Sequence, residues 1–409
     1  MVVPNRFLRN RTSRRIILVA AVLIVAALGW LLVRQAVPGS EADKATRTVA
    51  RLAGIPMSPF RLAGNMNEAR ASFTAVAAGE LCVAIGGTGA DGRALATWEA
   101  FDPAAGRSIR SGVLPEPRVG HTATLLGDGR IFIAGGWDGK TYADRCLILD
   151  STAGVLTEGP RLHFPRRDAV AVALDGRVLI AGGADEDAGF ECYDGNTGEL
   201  THYEGPGGTL RGAALLSVTD LDKKDQTETW CLLAGGRRKD GTVSADAWLI
   251  DTSTMKAKAI APLNEARADC CVIDGAFPLF VGGMGADGKP LRTTEEFNFL
   301  SDPIFFSGPD LVWPVASGAA ADITEWSDEL ESIFVIAGGK DGQPSVATQT
   351  IVFGDIYTDI KPGPDLHVAR YAPQVVNTRS CAVIMGGMTA ADGRPTAECE
   401  VYDLQVAPS

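Results

Sequence analysis

Seven times between residues 81 and 387 an apolar run ends in a Gly-Gly pair, with first glycines 49, 47, 53, 47, 56 and 48 residues apart. The runs begin at Leu81, Ile131, Val178, Trp230, Pro278, Ile333 and Cys381. Each is short, rich in β-branched residues and apolar at consecutive positions, the pattern of a strand covered on both faces. Glycines after a strand also mark phosphate-binding loops, but no helix start follows any of these. The near-constant interval predicts an array of equal units, each needing its neighbours to cover its apolar face.

The rest of each unit follows the same order. A turn comes next, usually Asp-Gly: Asp91-Gly92, Asp138-Gly139, Asp240-Gly241, Asp287-Gly288, Asp341-Gly342 and Asp392-Gly393. Such pairs suit a reversal into an antiparallel neighbour. A third strand then closes on an apolar residue and Asp, as in Phe101-Asp102, Leu149-Asp150, Tyr193-Asp194, Ile250-Asp251 and Tyr402-Asp403. A short fourth strand and a Pro-containing turn lead to an arginine before the next unit, as in Leu114-Pro-Glu-Pro-Arg118. Four strands in about 50 residues is the period of a propeller blade. The pattern resembles the kelch repeat over residues 58–409, which implies an all-β, seven-bladed kelch-type β-propeller. One kelch feature is missing: where a Trp is expected after the Asp stand Ile109, Leu156, Leu200 and Met255, so packing there is expected to be aliphatic. A WD-type repeat is excluded, because Gly120-His121 and Trp137-Asp138 each occur once and lie too close together.

The last unit has little chain left for a fourth strand, whereas the segment from Met57 to Ala63 precedes the first unit with no partner of its own. That amino-terminal segment is expected to complete the final blade and remove an open edge. Two units are stretched between their first and second strands, at 220–228 and 325–331.

Ahead of the repeats, Arg6, Arg9, Arg11, Arg14 and Arg15 precede 18 uncharged residues, Ile16 to Val33. As a helix this run spans roughly 27 Å, the thickness of a hydrocarbon core. It reads as a retained single-pass signal anchor at 16–34, following a basic segment at 1–15, with the lipid bilayer as a partner. A cleaved signal peptide is the competing reading. The arginine bias places the amino terminus in the cytoplasm and the propeller outside, periplasmic or extracellular. Residues 35–57 form the linker and 58–409 the propeller. The chain carries −12, and without the six arginines of its first 34 residues the remainder carries −18, which argues against a nucleic-acid partner.

Two groups stand out as binding candidates. Arg70, Arg118, Arg166, Arg211, Arg267 and Arg370 recur at the start of the units. Their guanidinium groups either converge on a carboxylate, sulfate or sugar acid at the channel mouth, or pair with a carboxylate borne by the repeat. The Asp-Gly face adds Trp137, Tyr142, the acidic triplet 185–187 and Arg237-Arg238-Lys239, with Trp137 a suitable anchor for a sugar or a protein, and Trp313, in the unit that lacks the arginine, is a further candidate because it breaks the repeat. No cofactor, metal site or catalytic residue is implied: no Gly-x-Ser-x-Gly elbow exists, and the four His and six Tyr are dispersed, unlike the cluster of a copper radical oxidase. The reading favoured is a protein- or carbohydrate-binding scaffold, with a carbohydrate-active enzyme as the alternative. The eight cysteines read mainly as small buried residues, and pairing across Asp392-Gly393 would bring Cys381 near Cys399 for a disulfide.

Overall fold

Strands covered on both faces and strands facing water succeed one another in a fixed order along the chain. The computed structural model describes residues 59–404 apart from 187, 220–228, 276, 300–303, 325–331, 354–357 and 390–392. These fall almost wholly in the second of two compact units, Met1–Pro59 and Phe60–Ser409. The expected membrane helix, the linker and both stretched segments lie outside the described residues. Among the described residues no helix is long and apolar enough to cross a membrane.

Thr74–Ala78, Leu81–Ile85, Thr97–Asp102 and Arg107–Val113 form the first antiparallel set, paired in chain order. Separate four-stranded sheets of the same order begin at Val119–Leu125, Val170–Leu174, Ala214–Thr219, Cys271–Ile273 and Ala319–Asp322. A final set comprises Gln374–Asn377, Cys381–Met385, Glu398–Asp403 and, from the other end of the domain, Phe60–Asn65. The amino-terminal strand therefore completes the last set as expected. One parallel residue pair, Asn65 with Arg107, joins the first and last sets into an eight-stranded sheet. First strands of most successive sets touch, and Thr74–Ala78 touches both Val119–Leu125 and Gln374–Asn377. This is the radial arrangement of a β-propeller.

The second strands are apolar beyond their first residue because alternate residues serve different neighbours. Val83 and Ile85 pack with Ile131, Ile133, Leu147 and Leu149 of the following sheet. Cys82 and Ala84 pack the other way, with Val383, Met385 and Val401 of the final set. Each such aliphatic side chain contributes roughly 1.5–3 kcal/mol on burial. Fourth strands such as Arg107–Val113, Lys256–Ala259 and Thr358–Pro362 are largely exposed and carry charge, which protects those outer edges against pairing with other chains, whereas Ile304–Ser307 exposes Ile304 and Phe306.

The Gly-Gly pair clasps one sheet to the next. In six units its second N–H donates to the carbonyl of the residue at the next unit's arginine position: Gly87 to Arg118, Gly136 to Arg166, Gly183 to Leu210, Gly236 to Arg267, Gly283 to Val315 and Gly387 to Arg70. The same carbonyl lies so close to the first glycine that a Cβ there would sit 2.2–2.6 Å from it. Both glycines of these pairs have left-handed φ. No other residue combines that backbone with that approach.

Two expectations need correction. Cys381 and Cys399 form no disulfide. The register places Cys381 opposite Asp403 and Cys399 opposite Met385, four residues apart and so about 13 Å along the strands. At the missing kelch Trp, Leu156, Leu200 and Met255 do pack into the core, but Ile109 is 41% exposed. A bulge pairs Ala100 with Arg110 and Phe101 with Ser108, leaving Ile109 unpaired and turned outward.

The cysteines are otherwise buried as the repeat positions suggest, apart from the half-buried Cys270. Burial pushes their thiols up, Cys270 to about 11 and Cys146, Cys231, Cys271 and Cys399 to about 12. Iodoacetamide at pH 8 is therefore expected to leave all eight thiols of the native protein unmodified and to label all eight after unfolding. Rapid labelling of any one in the native state, read by mass spectrometry, would contradict this packing.

Candidate functional site

Five of the six repeat arginines, Arg70, Arg118, Arg166, Arg267 and Arg370, are fully buried. Each donates from Nη1 to the carbonyl of its own unit's first glycine, Gly86, Gly135, Gly182, Gly282 and Gly386, at 2.8–3.1 Å. Four also pair with a third-strand glutamate: Arg70 with Glu99 at 2.6 Å, Arg166 with Glu191 at 3.0 Å, Arg267 with Glu295 at 2.6 Å and Arg370 with Glu400 at 2.9 Å. The glutamates in turn accept backbone N–H groups of the preceding loop, such as those of Asn264 and Glu265 on Glu295. These side chains occupy the pairing role that the sequence left open, and they present no guanidinium face to solvent.

The exceptions vary in pairs. Where Leu210 stands at the arginine position, Trp248 replaces the glutamate; where Val315 stands there, Gln349 does. Gln349 still accepts from Val312 and Trp313 N–H. Arg118 faces Leu147 instead of a glutamate and pairs with Glu116 at 2.8 Å. Beside it the buried His121 reaches Thr74 Oγ1 at 2.8 Å; burial, then the charges of Arg118 and Arg70, push its pKa down to about 3, so it stays neutral. His163 and His367 close onto Glu191 and Glu400, and His202 bonds the Ala188 carbonyl.

Arg211 is not a member of the buried set. Leu210 fills that place, and Arg211 stands one residue later, where Arg167 follows Arg166. The next position is left-handed in every unit: Ser72, Gly120, Asp168, Gly212, Asp269, Ser317 and Ala372. Backbone N–H groups link part of this inner rim from sheet to sheet, Asp168 to Gly120, Gly212 to Asp168, Asp269 to Gly212 and Ser317 to Asp269, at 2.8–3.1 Å. The rim carries two carboxylates, Asp168 and Asp269. Burial pushes both up; Arg167 and Arg211 oppose this at Asp168, and Arg237 does so at Asp269.

Around that rim the surface side chains converge. Trp137 and Tyr142 pair across the Asp138-Gly139 turn. The Arg167 guanidinium lies 4.6 Å over the Trp137 ring, and that of Arg211 lies 5.9 Å from the Tyr142 ring while bonding its hydroxyl at 3.0 Å. Arg211 also meets Asp185 at 2.8 Å, and Lys239 Nζ bonds the Asp185 carbonyl. Arg237 is bridged to Arg211 through the backbone. Asp187 lies outside the described residues. Trp313 stands apart from this group, its ring capped by Lys340 at 5.2 Å. Sequence reasoning missed Arg167; the Arg166-Arg167 doublet, of which only the first fits the repeat, was the available signal.

No family model matches the chain. Seventy-five residues are 40% identical to Kelch-like protein 34 of Homo sapiens, covering 18% of this chain and 12% of that protein. Eighty-two residues are 30% identical to an F-box/kelch-repeat protein of Arabidopsis thaliana, 20% of this chain and 21% of that one. The matches thus span between about an eighth and a fifth of these curated relatives. The solved structure of YjhT superposes with a TM-score of 0.51 at 15% identity, over 82% of this chain and 95% of that one. Together with the sheet order these likenesses support a kelch-repeat β-propeller, the structural likeness speaking for the fold alone.

Proposed function

We propose that the chain is a seven-bladed kelch propeller that works as a protein-binding scaffold through the face around Trp137 and Tyr142. Its residues 16–34 would hold it in the cytoplasmic membrane with the propeller outside. The observation that carries the binding reading is the Trp137–Arg167 and Tyr142–Arg211 pairing, two half-exposed aromatic rings with a cation set against each. Aromatic and arginine side chains supply most of the anchoring energy at protein interfaces. Arg167 covers one face of the Trp137 ring and Lys340 one face of the Trp313 ring, faces on which a sugar would otherwise stack. That favours a protein over a glycan or a carbohydrate-active site.

With a photo-crosslinking residue at Tyr142, the full chain is expected to form protein adducts in its native membrane. Trp137→Ala should reduce them by about tenfold with little change in melting temperature. A glycan-array signal lost on Trp137→Ala would replace this reading. The anchor is tested by alkaline carbonate extraction: release of the intact chain into the supernatant would refute it.

A further inference from the structure

We infer that the outer seam between the fifth and sixth sheets binds a lysine or arginine side chain carried by an extended segment of a partner protein, on a surface separate from the Trp137 face. The fifth sheet comprises Cys271–Ile273, Leu279–Val281, Thr294–Asn298 and Ile304–Ser307, and the sixth begins at Ala319–Asp322. One cross-strand pair breaks the repeat there. At the corresponding place every other set pairs a buried third-strand residue, Thr350 or an apolar one such as Leu249 and Val401, with a basic residue or threonine on the fourth strand, such as Lys258 and Arg61. The fifth sheet inverts this polarity, with Glu296 on the third strand and Phe306 on the fourth.

Glu296 lies on the side of its sheet that faces the sixth. It pairs with Leu279, which packs with Ile336 and Ile351, whereas Phe297 and Phe305 pack the other way, with Leu249 of the fourth sheet. The facing side of the sixth sheet continues from Ile336 and Ile351 to the half-buried Phe334 and Phe353, whose rings meet edge to face at 5.7 Å. Into this apolar seam the fifth sheet turns two acceptors. Glu296 has no ion pair or side-chain hydrogen bond among the described residues, and burial pushes its carboxyl up with no cation to oppose it. Two residues on, Asn298 Oδ1 is buried and also without a partner. Outside them stand their cross-strand neighbours Phe306 and Ile304, 49% and 41% exposed. Acceptors without donors among apolar side chains fit a group that brings several N–H donors and a charge on an aliphatic stem, as lysine and arginine do. The free edge gives the segment its route. Gly308 N–H donates to the Thr294 carbonyl, so Phe305 and Ser307 turn their own N–H and C=O groups away from the sheet, where no strand among the described residues takes them. A strand added there is held by its backbone and selected by the side chain it directs into the seam. Two strand spacings, about 10 Å, separate it from Thr294–Asn298, a gap that an extended basic side chain and Glu296 close between them.

The test uses the full chain in detergent and a fluorescein-labelled heptapeptide of alternating threonine and valine with a central lysine, blocked at both ends and read by anisotropy. The same peptide with norleucine or glutamate at its centre is the control. The lysine peptide is expected to bind in preference to both. Glu296→Gln should weaken it by about tenfold and leave the norleucine peptide unchanged. Glu296→Leu restores the residue type of the fourth sheet, so it should abolish the preference and raise the melting temperature. Phe306→Lys, the counterpart of Lys258, should fill the seam from within the chain and block binding. Trp137→Ala should have no effect, which keeps this surface distinct from the other face. Equal binding of the lysine and norleucine peptides, Glu296 variants that bind like wild type, or binding lost in Trp137→Ala would each overturn the inference. A full chain that sediments as a dimer and becomes monomeric in Phe306→Lys would put a second copy on this edge and overturn it as well.

Discussion

Arg370→Val is expected to lower the unfolding free energy by about 3–5 kcal/mol, because it leaves Glu400 buried without its cation. Glu400 is wholly enclosed and accepts from Arg370 Nη2 at 2.9 Å, from the N–H groups of His367 and Val368 at 2.6 and 3.0 Å, and from the His367 ring at 3.1 Å. Burial alone pushes its carboxyl up. The His367 ring, the Arg370 charge and the two N–H groups outweigh that and hold it below the usual glutamate range. A depressed native pKa stabilises above the unfolded value of about 4.3 and loses that stability as pH falls through the native value. The gap between wild type and Arg370→Val in urea unfolding should therefore be full near neutrality and narrow as pH falls below about 4.3. Adding Glu400→Gln should recover at least half the loss, since Val315 with Gln349 is this pairing as the chain itself builds it, with the loop N–H groups still accepted. A double variant no more stable than the single would show instead that the Arg370 bonds to the Gly386 and Glu398 carbonyls dominate.

The contrast between these arginines also shows what the sequence could and could not convey. The repeat interval is a one-dimensional property, and the strands, their order and the unit-to-unit clasp follow from it. Burial on both faces is likewise visible in runs such as Ile131-Phe-Ile-Ala134. A guanidinium facing the core and one facing water share a letter, however, and they are separated only by register. Aligning Gly212 with Gly120, rather than Arg211 with Arg118, puts Leu210 in the buried place and Arg211 on the rim. The disulfide expectation failed for the same reason: proximity across a turn depends on which residues pair, and pairing Met385 with Cys399 carries the two thiols past each other. Ile109 adds a third case, since a bulge inserts a residue that strand alternation cannot foresee.

Gly282→Ala should be among the costliest single substitutions in the protein, at about 3–5 kcal/mol. Its φ is +57°, and an added Cβ would lie 2.3 Å from the Val315 carbonyl oxygen and 3.3 Å from that of Leu291. Both are backbone atoms, so no rotamer relieves the contact and the two sheets must move apart. Gly288→Ala, in the Asp-Gly turn of the same unit, is the matched control. There φ is +74° and nothing lies within 4 Å of the added carbon, so only the left-handed backbone cost of about 1–2 kcal/mol applies. The difference between the two isolates the close approach of neighbouring sheets from backbone preference. It should appear locally as well, because the Gly283 N–H that donates to Val315 at 2.8 Å would exchange with solvent faster in Gly282→Ala than in Gly288→Ala. Equal losses from the two substitutions would mean that the Gly-Gly pair serves only to turn the chain. A larger loss at Gly282 makes it the joint between units, which fixes each first strand against the next and so holds the rim side chains of successive sheets in one constellation.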